Sequence, residues 1–267
     1  MTRRRIPDPV REIQDQGRQW SRHAAQYDEL FLNAFQPDVE NPLYAALERV
    51  PDRERKTVAD LGCGTGPLLP RLLGLGFERV IALDFAPGMI ARAQARLGPD
   101  AVRVTFENRP MHELDDYAGQ LDAAVAVNSI VMPDVRVIDR TLSAIRAALK
   151  PQGMLLGVVP AMDAIHYHTM LLMDQALDRG LSPEEAERHA AFHAEHHYYD
   201  FALGRFSFQG LRQKFWQPFE IQHRMTKAGF AEVELGKVLY PWDESIAGWA
   251  ELADYPRSWD WFFQARP

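Results

Sequence analysis

From Thr57 onward, short apolar runs alternate with stretches of helical periodicity. Thr57–Leu61, Arg79–Asp84, Val102–Phe106, Leu121–Val127 and Met154–Pro160 read as strands built almost entirely from Val, Leu, Ile and Ala. Between them the spacing predicts helices running to Leu75, over Pro87–Leu97 and over Asp134–Lys150. The last of these opens on an acid and closes on a lysine before Pro151, as the helix dipole favours. Strands with no polar alternation are buried on both faces, so the pattern predicts a parallel sheet with helices on both sides. Ala161–Gln213 breaks the alternation and reads as a helical insertion, in which Ser182-Pro183-Glu184-Glu185 forms a capping box. The alternation resumes with a helix over Phe219–Ala228, stopped by Gly229, and strands over Ala231–Leu239 and Trp259–Ala265. Before the sheet, Trp20, Ala24, Tyr27 and Phe31 share one helical stripe, and Pro37, Pro42 and Pro51 cut the segment into pieces.

Composition narrows the class of protein. The net charge of −7 argues against non-specific nucleic-acid binding, which needs surplus Lys and Arg to neutralise phosphates. A single cysteine, Cys63, excludes an intrachain disulfide or a multi-thiolate metal site. Apolar runs such as Met154–Ala161 are far shorter than a membrane span. Arg3–Arg5 lead into polar Pro7–Arg11 rather than an apolar signal region. A cytoplasmic protein with no nucleic-acid or membrane partner is expected.

Chemistry concentrates in Asp60-Leu61-Gly62-Cys63-Gly64-Thr65-Gly66, which joins the first strand to the following helix. Glycines there let the backbone approach a ligand closely. Asp84, ending the next strand, is placed to accept hydrogen bonds from both ribose hydroxyls of a nucleoside. The plain alternatives are a tight turn without ligand and a helix cap. Dinucleotide sites want G-x-G-x-x-G, but Pro67 occupies the third glycine position, and Asp60 beside the loop suits a cationic amine better than a pyrophosphate.

These residues, with Ala82-Leu83-Asp84-Phe85-Ala86-Pro87-Gly88-Met89-Ile90, resemble the class I S-adenosylmethionine-dependent methyltransferases. Leu149-Lys150-Pro151-Gln152-Gly153-Met154-Leu155 is similar to that family's turn into the fifth strand, and Ala228-Gly229-Phe230 to its entry into the sixth. Trp20 through Tyr27-Asp28 resembles the N-terminal helix of the small-molecule branch. The resemblance implies an α/β, Rossmann-like, seven-stranded and mostly parallel sheet with helices on both faces. It divides into an N-terminal helical lid (1–56), a cofactor core (57–160), the insertion (161–213) and the remainder of the sheet (214–267). S-adenosylmethionine is the implied cofactor. Gly62, Cys63, Gly64 and Gly66 would hold its methionine part, with Asp60 facing the amine directly or through water. Asp84 would bind the ribose, Phe85 and Met89 would flank sugar and adenine, and Asn128 would lie under the methyl region. Tyr27 would close from the lid. The family's adenine-binding Asp is replaced by Pro110, which leaves Met111, or Asn108 in a shifted loop, to serve adenine.

The helix after Ser182 carries His189, His193, His196 and His197, which fall on one face. They read as polar surface, as pocket residues offering a general base, or as metal ligands, and no metal is expected. Cys63 lacks a neighbouring cation and reads as a small loop residue. Tyr198, Tyr199, Phe201, Phe206, Phe208, Phe215, Trp216 and Phe219 form either a second core or an aromatic lid over the ligand edge of the sheet. Tyr27, His166, His168, His193, His197 and Tyr199 are candidate bases. The expected reaction is methyl transfer to an O, N or C atom of a small, partly apolar molecule. Aminopropyl transfer, NAD-dependent chemistry and a non-catalytic binding module are the alternatives.

Overall fold

The computed structural model describes residues 9–23, 34–208, 210–243 and 246–267. Strands β1 (Thr57–Leu61), β2 (Arg79–Leu83), β3 (Val104–Glu107), β4 (Leu121–Val127) and β5 (Leu149–Pro160) run parallel in the order β3-β2-β1-β4-β5. The small sheet of the insertion supplies β6 (Tyr199–Asp200), β7 (Arg205–Phe208) and β8 (Leu211–Lys214). β10 (Ser258–Arg266) pairs antiparallel with β5 and with β9 (Glu232–Tyr240), completing the seven-stranded, mostly parallel sheet that was expected.

Alternate side chains of each strand enter different cores. Val58, Val80 and Ala82 pack with helices α2 (Pro42–Glu48), α3 (Leu69–Gly74) and α4 (Pro87–Leu97). Ala59, Ile81 and Leu83 face the other way, toward α5 (Val135–Ala148) and the later α8 (Pro218–Lys227). A strand buried on both faces cannot show polar alternation, which is why these runs read as continuous. β3 starts at Val104 rather than Val102, because Gly98–Arg103 wind into a 3₁₀ turn that leaves Val102 exposed.

The insertion is helical through α6 (Met162–Asp178) and α7 (Pro183–His193), and the Ser182–Glu185 capping box is present. It then forms the three-stranded antiparallel sheet β6-β7-β8. Lys214 N–H donates to Val131 O and Trp216 Nε1–H to Ile130 O, tying the returning chain to the loop after β4. Most of the expected aromatic residues meet here, with Tyr199, Phe206 and Phe215 in mutual contact; Phe219 instead lies exposed on α8. A last short helix, α9 (Trp249–Leu252), precedes β10.

Helix α1 (Pro9–His23) crosses the ligand edge of the sheet. Gly17 packs on the Phe85 ring, and Ser21 Oγ accepts the Gly88 N–H at the start of α4. The buried Gln16 side chain donates to Gly210 O and accepts from Arg212 N–H, so α1 also grips the insertion. Of the predicted stripe, Trp20 packs against Phe85, Ala86 and Met89, whereas Ala24, Tyr27 and Phe31 lie outside the described residues. No helix among the described residues is long and apolar enough to cross a membrane.

Candidate active site

The glycine loop is fastened to the end of β2. Gly62 N–H and Cys63 N–H both donate to Leu83 O, at 2.7 and 3.0 Å. Asp84 then gathers the loop around its carboxylate: Oδ2 accepts Gly64 N–H at 3.0 Å and Oδ1 accepts Ala86 N–H at 2.8 Å. Two glycines are required by close approach. A Cβ on Gly62 would overlap the Ser129 side chain, and one on Gly66 would lie 2.9 Å from Ala93 Cβ on α4.

The two acids of the loop are buried and perturbed. Burial raises Asp84 to about 6, partly offset by its two backbone hydrogen bonds. Burial, then the Asp84 charge, raises Asp60 to about 7. Asp60 Oδ2 has no hydrogen-bond partner among the described residues. An orphaned carboxylate oxygen in the interior is costly unless a donor or cation meets it. Cys63 is buried, and its thiol is pushed well up by burial and by both acids, so it is an inert loop residue, as its neighbours suggested.

A largely apolar cleft opens in front of this loop. Of the predicted cofactor residues, Gly62, Gly64, Asp84, Phe85, Met89, Pro110, Met111 and Asn128 line it. Asp60, Cys63 and Gly66 are not on its wall. Nor is Asn108, whose side-chain N–H donates to Asp84 O at 2.8 Å and braces the backbone instead. Ile13, His112 and Ser129 join the wall without having been singled out. So do Val137 and Thr141, one turn apart on α5. Ser129 carried a readable signal, since it directly follows the end of a parallel strand, where ligands bind in such sheets. His112 is held below its ordinary value by burial and the Arg140 charge, against the pull of Glu113.

A second cavity adjoins the first and shares Asn128 and Val131 with it. Tyr198, Tyr199, Phe206, Phe208 and Phe215 from the insertion form one side, and Tyr240, Trp259 and Asp260 the other. Tyr199 is the described catalytic candidate that reaches it. Burial and the Glu195 charge push its hydroxyl far up, so it is a hydrogen-bond donor, not a base. The histidine candidates go elsewhere. His166 stacks on Phe201, His168 contacts Ala247 O, and His193 and His197 are exposed. The predicted four-histidine face does not form, because α7 ends at His193 and Glu195 turns left-handed at φ 52°. Among the described residues no cluster of three or more His, Cys, Asp or Glu could hold a metal.

Asp260 is the residue that sequence reading missed. Its Oδ2 accepts Tyr240 O–H at 2.8 Å and Asn128 Nδ2–H at 3.2 Å, while Oδ1 receives Ala161 N–H at 3.4 Å. Burial raises it to about 6 against those hydrogen bonds. β10 is antiparallel, so its first residues lie beside Pro160, at the ligand end of the parallel strands. A lone acid in an apolar strand was the available clue.

Four of the parallel strands, the start of the fifth, the glycine loop and most of the cleft wall fall in residues 58–153, which match the family described as a methyltransferase domain. Over these residues the chain is thus similar to a methyltransferase domain. The YqeM protein of Bacillus subtilis (strain 168) is 30% identical over 135 residues, 50% of this chain and 52% of that one. The chain thus spans about half the length of that curated relative. A tRNA U34 carboxymethyltransferase of Shewanella sp. (strain ANA-3) is 36% identical over 61 residues, 23% of this chain and 17% of that one. The solved 1,6-didemethyltoxoflavin-N1-methyltransferase of Burkholderia thailandensis holds 1,6-didemethyltoxoflavin and S-adenosylhomocysteine. It shares the fold at TM-score 0.62 and 18% identity over 98% of this chain and 92% of that one.

Proposed function

We propose that this protein transfers the methyl group of S-adenosylmethionine to a small, largely apolar or aromatic acceptor. The carrying observation is the pair Asp60 and Asp84: Asp84 lines a cleft that continues into the aromatic cavity, and Asp60, with Oδ2 unpartnered among the described residues, lies behind the glycine loop that forms its wall. That donor set fits the cofactor. Asp60 would face the ammonium and Asp84 the ribose hydroxyls, with Phe85, Met89 and Met111 against the sugar and base. A dinucleotide fits poorly, since two buried carboxylates would face its pyrophosphate. The neighbour that methylates a fused heterocycle supports a small acceptor, and so does the net charge of −7, which is unfavourable for a phosphate backbone.

When bound, the cofactor supplies a methyl group already activated on a sulfonium. The residues of this chain then have to align the acceptor and exclude water. Asn128, shared by both cavities, marks the meeting point. Ile13 and Trp20 of α1 cover the donor cleft.

S-adenosylhomocysteine is expected to raise the melting temperature, because it binds only the folded state; NAD is expected not to. Asp84→Asn should weaken S-adenosylhomocysteine by about 1.5–3 kcal/mol, the range for a charge-assisted hydrogen bond. Asn is the informative replacement. It keeps an acceptor for one of the Gly64 and Ala86 N–H groups, whereas alanine would strand both and loosen the loop further. Unchanged affinity by calorimetry would remove Asp84 from the site. Incubation with labelled cofactor and fractionated extract, read by mass spectrometry, tests the transfer itself, and no labelled product in any fraction would count against it.

If α1 is a lid, bound S-adenosylhomocysteine should slow amide hydrogen exchange over residues 13–22 as well as over Gly62–Gly66. Protection confined to the glycine loop would make α1 a fixed wrapper.

A further inference from the structure

The aromatic cavity carries unsatisfied hydrogen-bonding groups that no protein contact uses. Asn128 Oδ1 and Trp259 Nε1 are buried without a partner among the described residues, and both residues line it. Asp260 adds a third group, which protein contacts use only in part. Tyr240 and Asn128 both donate to its Oδ2, while Oδ1 receives only the long contact from Ala161. These groups are held rigidly. Asn128 keeps a left-handed backbone at φ 49°, an uncommon state for a residue other than glycine. Trp259 is clamped between Lys237 Nζ, 3.4 Å from its ring centroid, and the Tyr167 ring at 5.3 Å. Stranded polar atoms inside a cavity lined largely by aromatic side chains are costly, and a ligand that pairs them recovers that cost.

We infer that this cavity recognises a planar heteroaromatic acceptor bearing adjacent N–H and C=O groups. Its N–H would donate to Asp260 Oδ1 and Asn128 Oδ1, and its C=O would accept from Trp259 Nε1–H. The aromatic side chains of the insertion supply flat surface for the ring system. A purely apolar acceptor would leave Asn128 Oδ1 and Trp259 Nε1 unpaired and Asp260 Oδ1 with only its long contact. A polyanion would face the Asp260 carboxylate, which is ionised above about pH 6. The asymmetry is strong, because a site built to hydrogen-bond a group rejects analogues that lack it. The inference rests on the methyltransferase reading for the location of the acceptor and adds the chemical class.

Lumazine and 1,3-dimethyllumazine test it, since both are flat and carry carbonyls but only lumazine offers ring N–H in its dione ring. With S-adenosylhomocysteine present, calorimetry on the full chain should show lumazine binding at least ~10-fold more tightly than the dimethyl compound, about what one net hydrogen bond to a charged group contributes. Asp260→Asn should abolish that preference in a protein that still binds S-adenosylhomocysteine. Trp259→Phe should weaken both compounds by a similar factor. Tyr240→Phe, which deletes a hydroxyl that donates to Asp260 and so loosens its carboxylate, should reduce the preference and serves if Asp260→Asn does not fold. Equal binding of the two compounds, no binding of either, or an undiminished preference in the folded variants would overturn the inference. S-adenosylhomocysteine is titrated alone first. If it binds and the lumazine result is negative, only the acceptor class falls; if it does not bind, the methyltransferase reading falls too.

Discussion

Replacing Gly157 by alanine is expected to destabilise the protein by about 1–3 kcal/mol or more, the range for overpacking a well-filled core. Gly157 lies mid-strand in β5, opposite Phe263 of β10. An added Cβ would lie 2.6 and 2.8 Å from Phe263 Cε1 and Cε2, and closer still to Cζ. The ring has nowhere to go, because Phe263 is fully buried. Phe263→Leu alone should cost stability by leaving a cavity. Combined with Gly157→Ala it should cost less than the sum, and a double-mutant cycle from urea unfolding measures the difference. Strict additivity, or a Gly157→Ala protein as stable as the parent, would mean that the two strands do not interlock there. The consequence reaches the site, since the same β5–β10 register brings Asp260 beside Pro160. The single variant should therefore disturb the aromatic cavity while sparing the glycine loop, which is held by β1 and β2.

This division explains what could be read from the chain. The glycine loop, Asp60 and Asp84 belong to one strand–loop–helix–strand unit, and their spacing is set by local geometry. Their placement on or behind the cleft follows from residues close in sequence. The aromatic cavity is different. Asn128 and Asp260 meet across 132 residues, and only the antiparallel entry of β10 brings them together. A pattern of apolar residues announces a strand but not its direction, so Asp260 was not legible as a site residue. The histidine face failed for a local reason that periodicity does not see: one left-handed residue, Glu195, redirects His196 toward Thr169 and leaves His197 in solvent. Asn108 was considered for the adenine side, yet its amide is committed to Asp84 O, and Pro110 and Met111 hold that part of the wall.

Cofactor binding should become tighter as pH rises from about 5 to 7.5, with Asp60 as the cause. In the unliganded protein Asp60 is raised from 3.8 to about 7 and Asp84 from 3.8 to about 6, chiefly by burial. A carboxyl raised on folding binds its proton more tightly in the folded state than in the unfolded one. Its contribution to stability is therefore full below about pH 4 and is lost as pH climbs through the folded value. The unliganded protein should lose stability between about pH 4 and 7 from these two groups. An ammonium placed against Asp60 Oδ2 favours the ionised carboxylate and lowers its pKa. Binding in that window must then expel a proton, and linkage requires affinity to increase with pH until Asp60 is ionised without help. Calorimetric titration of S-adenosylhomocysteine at pH 6, in buffers of different ionisation enthalpy, should give heats that depend on the buffer. Asp60→Asn should remove that dependence, flatten the pH profile and weaken binding at pH 7.5 by about 1.5–3 kcal/mol, the range for a lost hydrogen bond to a charged group. Buffer-independent heats in the parent protein, with affinity constant across the range, would mean that the amine does not meet Asp60 and that its unpartnered oxygen serves some other donor.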